Sequence, residues 1–81
     1  MKYIIFKDFS DEPCAILFPN RIGHLEMREQ MPYSTVISAG YVDMVEGGFV
    51  CHGSAKELNA SPGQKDAEIL LNNFRSQGDQ A

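Results

Sequence analysis

The sequence predicts one small α+β domain, in which an antiparallel sheet of two hairpins carries a C-terminal helix on one face. Two apolar, β-prone runs within residues 35–53 flank Glu46-Gly47-Gly48, an arrangement typical of a hairpin. A second pair of such runs lies within residues 2–18. A helical stripe of apolar residues follows near the C-terminus. With one short helix between the hairpins, the predicted order is ββαββα.

The composition is that of an ordinary globular domain. Of the 81 residues, 43% are hydrophobic and 22% are charged, which is too apolar for a disordered chain. No apolar run approaches the roughly 20 residues needed to cross a bilayer, and the N-terminus lacks the features of a signal peptide. We therefore expect a cytoplasmic protein without a membrane partner. The domain is expected over residues 1–75, followed by a frayed polar tail at 76–81.

Charge and cysteine usage narrow the choice of partners. The formal net charge is −4, and the seven Lys and Arg residues form no run. Nucleic-acid binding needs a basic face, so we expect no direct contact with DNA or RNA. Two cysteines are fewer than a secreted domain of this size usually carries. We therefore expect Cys14 and Cys51 to be free thiols in a reducing compartment.

The first hairpin is predicted from strands at Lys2–Lys7 and Cys14–Phe18, joined by a turn-like segment and ended by Pro19. Both strand faces are apolar, so alternation does not decide which face is buried. One face of the second strand holds Cys14, Ile16 and Phe18, and the other holds Ala15 and Leu17.

The first helix is predicted over His24–Met31. Gly23 is an acceptable N-cap and Glu26 stands at the capping-box position. Pro32 ends the helix, because the residue before a proline avoids the α region. His24 and the two methionines that follow could suggest a soft-metal or haem site. We favour packing on the sheet, because methionine commonly fills gaps in cores.

The second hairpin can turn at residues 46–47 or at 47–48, which pairs Val42 with Cys51 or with Gly53 respectively. Both registers preserve the faces, because the side-chain period is two. The face expected in the core comprises Val36, Ser38, Gly40, Val42, Met44, Phe49 and Cys51. The opposite face comprises Ile37, Ala39, Tyr41, Asp43, Val45, Val50 and His52.

The segment after this hairpin leaves two alternatives open. Residues 53–60 can form a helical turn started by a capping box, or an extended segment with Leu58 turned inward. The C-terminal helix has coincident start signals, with Ser61 as N-cap, Pro62 at N1 and Gln64 at N3. Its core-facing stripe is Ala67, Leu70, Leu71 and Phe74.

The residues that could carry chemistry form no recognisable catalytic or metal motif. Two Cys and two His suffice for zinc, but no CxxC or HxxxH spacing occurs, and adjacent Cys51 and His52 point to opposite faces of a strand. A Cys–His nucleophile pair using His24 lacks an oxyanion hole. Asp43 and His52 could form an acid–base dyad, although a cross-strand charge pair is the commoner arrangement. We expect no cofactor, no metal and no enzymatic activity.

Short segments over most of the chain carry a resemblance. They are KYIIFKD at 2–8, ILFP at 16–19, IGHLEM at 22–27, SAGYV at 38–42, VCHG at 50–53 and DAEIL at 66–70. In these segments the chain resembles a family of small bacterial and phage- or prophage-associated proteins of unassigned function. The resemblance implies a stand-alone small protein and adds no site residues.

These exclusions favour a non-enzymatic module that binds another protein or a second copy of itself as a homodimer. An uncovered sheet face with apolar residues and a polar rim would be the binding surface. The alternative is a small-ligand or inhibitor protein with a pocket between helix and sheet, lined by His24, Tyr41 or His52. The candidate binding residues are Tyr41, Asp43, Val45, Val50 and His52.

Overall fold

The computed structural model describes residues 1–7, 10–31 and 35–79, with side chains described as far as Asn73. The α+β class is confirmed, and the order agrees with ββαββα apart from one added 3₁₀ turn. The elements are β1 (Lys2–Lys7), β2 (Pro13–Phe18), α1 (His24–Glu29), β3 (Thr35–Val45), β4 (Gly48–His52), a 3₁₀ turn (Lys56–Leu58) and α2 (Asp66–Asp79).

The four strands form one antiparallel sheet in the order β2-β1-β3-β4. The N-terminal strand β1 is therefore central, with β2 on one side and β3 on the other. Alternation along β1 sends Tyr3 and Ile5 to one face and Ile4 and Phe6 to the other, and all four are buried. A strand buried on both sides needs cover on both faces of the sheet.

Each face of the sheet has its own apolar cluster. Helix α2 covers the first, where Tyr3, Ile5, Val42 and Leu70 are buried, which confirms the predicted position of the C-terminal helix. The second face is covered by α1 and the 3₁₀ turn rather than left open. Its buried residues are Ile4, Phe6, Phe18, Ala39 and Ala55.

An irregularity in β3 corrects one predicted face. Ile5 pairs with Ser38, but the next residue, Phe6, pairs with Val36, so Ile37 is an extra residue in the ladder. A bulge of this kind shifts the alternation by one. Val36 therefore packs with the cluster around Phe6 instead of lying on the Ser38 face, and Ile37 is 50% exposed.

The second hairpin turns at residues 46–47, because Val42 pairs with Cys51. Gly47 has φ +83°, a conformation that glycine adopts without steric cost. The prediction that Met44 belongs to the core is wrong: its exposure is 69%. Phe49, which is opposite Met44 in the ladder, packs against the α2-side cluster, whereas Met44 belongs to neither cluster.

The helix boundaries also differ from the predictions. Helix α1 ends at Glu29 rather than Met31, while the predicted capping contact is present, with Glu26 Oε1 3.4 Å from the Gly23 N–H donor. Pro32, the predicted stop, lies outside the described residues. Helix α2 begins at Asp66 instead of directly after Ser61, and it continues to Asp79, into the predicted tail.

Of the two alternatives for residues 53–60, the helical turn is present as the 3₁₀ turn. A bridge between Ala55 and Ala60 closes the loop, and Ala55 is buried. Leu58 packs against the cluster beneath α1. This inward position was expected for the extended alternative, but it is reached within the 3₁₀ turn. Asn59 adopts a left-handed conformation with φ 53° and ends the turn.

Candidate interaction surface

The five predicted binding residues lie on the same side of β3 and β4. The register pairs Tyr41 with His52 and Asp43 with Val50, so alternation directs them all toward the α1 side. Tyr41 is half-buried, whereas the other four are exposed. Val45 and Val50 are 49% and 48% exposed, so about half of each apolar side chain is open to solvent.

Asp43 and His52 form the predicted cross-strand pair. Asp43 Oδ2 lies 3.1 Å from His52 Nε2, and the side chains are 68% and 51% exposed. Water surrounds such a pair, so it contributes no more than about 1 kcal/mol. Because both side chains are exposed, we interpret Asp43 and His52 as a polar pair on the surface beside the two valines rather than as an acid–base dyad.

A row of four aromatic rings crosses the sheet beside this pair. The ring of His24 makes nearly perpendicular contacts with the rings of Phe18 and Tyr41, each with centroids 5.5 Å apart, and Tyr41 in turn stacks on His52 at 6.0 Å. Lys2 flanks the row, with Nζ 6.0 Å from the Tyr41 centroid and donating to the carbonyl of Ile22 at 2.9 Å. The row links the buried core of the α1 face to the exposed His52.

His24, one of the residues predicted to line a ligand pocket, is buried between α1 and the sheet. It is 3% exposed, and its Nε2 lies 2.9 Å from the carbonyl oxygen of Gly40. A carbonyl only accepts, so His24 donates from Nε2 and its proton is assigned there. The described residues enclose no pocket.

Two glycines allow the chain to pack closely around the aromatic row. Gly53 has φ +68°, and a Cβ at this position would lie 2.8 Å from Tyr41 Cδ2. At Gly40, a Cβ would lie 2.9 Å from the His52 carbonyl oxygen and 3.0 Å from Pro62 Cγ. These distances are shorter than ordinary carbon contacts, so both positions require a residue without a side chain.

The opposite face of the sheet contains a buried polar cluster that the sequence analysis missed. Asp66, at the start of α2, is 3% exposed. Its carboxylate accepts hydrogen bonds from the Tyr3 hydroxyl, from Ser38 Oγ at 2.8 Å and from the Gly63 N–H at 2.8 Å. The cluster fixes the beginning of α2 to both β1 and β3, and the contact with the Gly63 N–H has the geometry of a capping-box side chain.

Burial and charge perturb two groups in this cluster. Burial is the main reason that the pKa of Tyr3 is raised far above its ordinary value, with the hydrogen bond and charge of Asp66 adding to the effect. Burial also raises the pKa of the Cys51 thiol, and a hydrogen bond with Tyr3 opposes this change. Cys51 therefore lacks the stabilised thiolate of a reactive cysteine.

Two features of the sequence could have indicated the polar cluster. Tyr3 lies on the same strand face as the apolar Ile5, and Ser38 lies on the core-facing side with Val42. Both hydroxyl groups therefore need a buried hydrogen-bond partner. Asp66 follows Gly63 by three residues. This is the spacing at which a side chain accepts a hydrogen bond from the backbone N–H of the residue that caps a helix.

No known protein family, curated protein or solved structure matches this chain. Among the described residues, no three His, Cys, Asp or Glu side chains lie close enough to bind one metal ion. Within the same part of the chain, no helix is long and apolar enough to span a membrane.

We use the name exposed hairpin surface for the end of the β3–β4 hairpin. It is the face of this hairpin that points to the α1 side, and it contains four of the predicted binding residues, whereas the exposed Met44 lies on the opposite face. Tyr41 supports this surface from below through its stack with His52 instead of forming part of it. The members of the exposed hairpin surface are Asp43, Val45, Val50 and His52.

Proposed function

We propose that this protein is a non-enzymatic module that binds another protein through the exposed hairpin surface. The observation that carries this proposal is the exposure of Val45 and Val50, which lie next to each other on one face of the hairpin. The other exposed large apolar side chains among the described residues, Met1, Leu25, Ile37 and Met44, do not share this face of the hairpin with the two valines. Such a patch with a polar border is typical of a protein contact.

The chemistry-bearing side chains support a binding role better than a catalytic one. His24 is buried against a carbonyl, and Cys51 has a raised thiol pKa. Asp43 and His52 are paired on an open strand surface, without a cleft that would exclude water around a substrate. These side chains can contact a bound partner, but they do not provide an activated nucleophile or a shielded acid–base pair.

The framework beneath the surface supports a preformed contact. The aromatic stack of Tyr41 on His52 and the close approach of Gly53 fix the base of the hairpin. A preordered hairpin loses little conformational entropy on binding, which favours affinity. A second copy of the chain is another occupant consistent with this surface, and phage or prophage origin stays a prediction.

The test compares two double variants with equal charge changes. Val45→Asp/Val50→Asp places charge on the exposed hairpin surface, and Leu25→Asp/Ile37→Asp places it on residues of 42% and 50% exposure elsewhere. We expect the first variant to lose its partner in affinity capture or its dimer in light scattering, while the control retains it. A wild-type protein that is monomeric and captures nothing dependent on Val45 and Val50 would contradict the proposal.

A further inference from the structure

We draw no further inference here: the strongest candidate, the apolar patch of Val45 and Val50 together with the adjoining edge strand β4, belongs to the exposed hairpin surface already described, and nothing in the structure shows whether a second copy of this chain or another protein covers it.

Discussion

The Tyr3 hydroxyl donates a hydrogen bond to the carboxylate of Asp66, which joins the central strand to the first residue of the last helix. The two residues are 63 positions apart in sequence and both are buried. Ser38 donates to the other carboxylate oxygen, so one acidic side chain connects β1, β3 and α2. A buried carboxylate is stable only when its oxygens are satisfied, and here they are.

Replacing the carboxylate should destabilise the fold. Asp66→Asn keeps the size of the side chain but puts an amide donor among the hydroxyls of Tyr3 and Ser38. We expect the free energy of unfolding to fall by about 2–3 kcal/mol, as measured by urea denaturation. Asp43→Asn, at an exposed carboxylate, should change it by less than about 1 kcal/mol. Equal effects of the two substitutions would contradict the structural role of the cluster.

Stability should fall in alkaline solution. The ordinary pKa values of Tyr3 and Cys51 are 10.0 and 9.0, and burial raises both in the folded protein. Unfolded chains therefore release these protons first, so the stabilisation is complete below about pH 9 and decreases as pH rises above it. Each such proton contributes a slope of about 1.4 kcal/mol per pH unit.

The measurement is the urea midpoint between neutral and strongly alkaline pH. Tyr3→Phe removes one of the two titrating groups, so its midpoint should start lower, because the hydrogen bond to Asp66 is lost, and then fall less steeply than that of wild type. Parallel curves for the two proteins would show that Tyr3 does not cause the alkaline loss.

His24 should contribute more to stability than His52. His24→Ala removes two aromatic contacts and leaves the Gly40 carbonyl without its donor, which should cost about 2–4 kcal/mol. His24→Phe restores a ring without the hydrogen bond and should recover part of this loss. His52→Ala, at an exposed position, should cost less than about 1 kcal/mol in thermal or urea unfolding. A larger loss at His52 would be evidence against the proposed importance of the buried ring.

Two glycines with positive φ allow backbone strain to be separated from steric contact. Gly47→Ala should cost about 1 kcal/mol, because nothing lies within 4 Å of the added methyl group. Gly53→Ala should cost about 2–4 kcal/mol, because the methyl group also meets Tyr41. The added loss at Gly53 should shrink in a Tyr41→Ala background, and an undiminished loss there would exclude the steric explanation.

Much of the fold could be predicted from local patterns. The strand at Lys2–Lys7 and the pairing options for Val42 followed from alternation and turn chemistry, and the structure selects one of those options. The capping contact of Glu26 with Gly23 followed from spacing alone. These features depend on residues close in sequence, so one stretch of chain contains the information that determines them.

The errors concern contacts between distant parts of the chain. The bulge at Ile37 depends on how β3 meets β1, and no local pattern indicates it. Exposure of Met44 depends on where α2 ends its contact with the sheet. For the candidate site, the alternation correctly grouped Asp43 with His52, but the cover of Tyr41 by His24 requires the position of α1.

The central place of β1 has a consequence for the order of assembly. Its neighbour β2 follows closely in the chain, but its other neighbour begins at Thr35, and Tyr3 pairs with Gly40. A hydrogen bond from the Val42 N–H to the Met1 carbonyl extends this pairing to the first residue. When only the first hairpin has emerged from the ribosome, one edge of β1 therefore stays unpaired until β3 has been synthesised. Of the four strands, β1 is synthesised before the others, and its second edge is paired only once β3 is present.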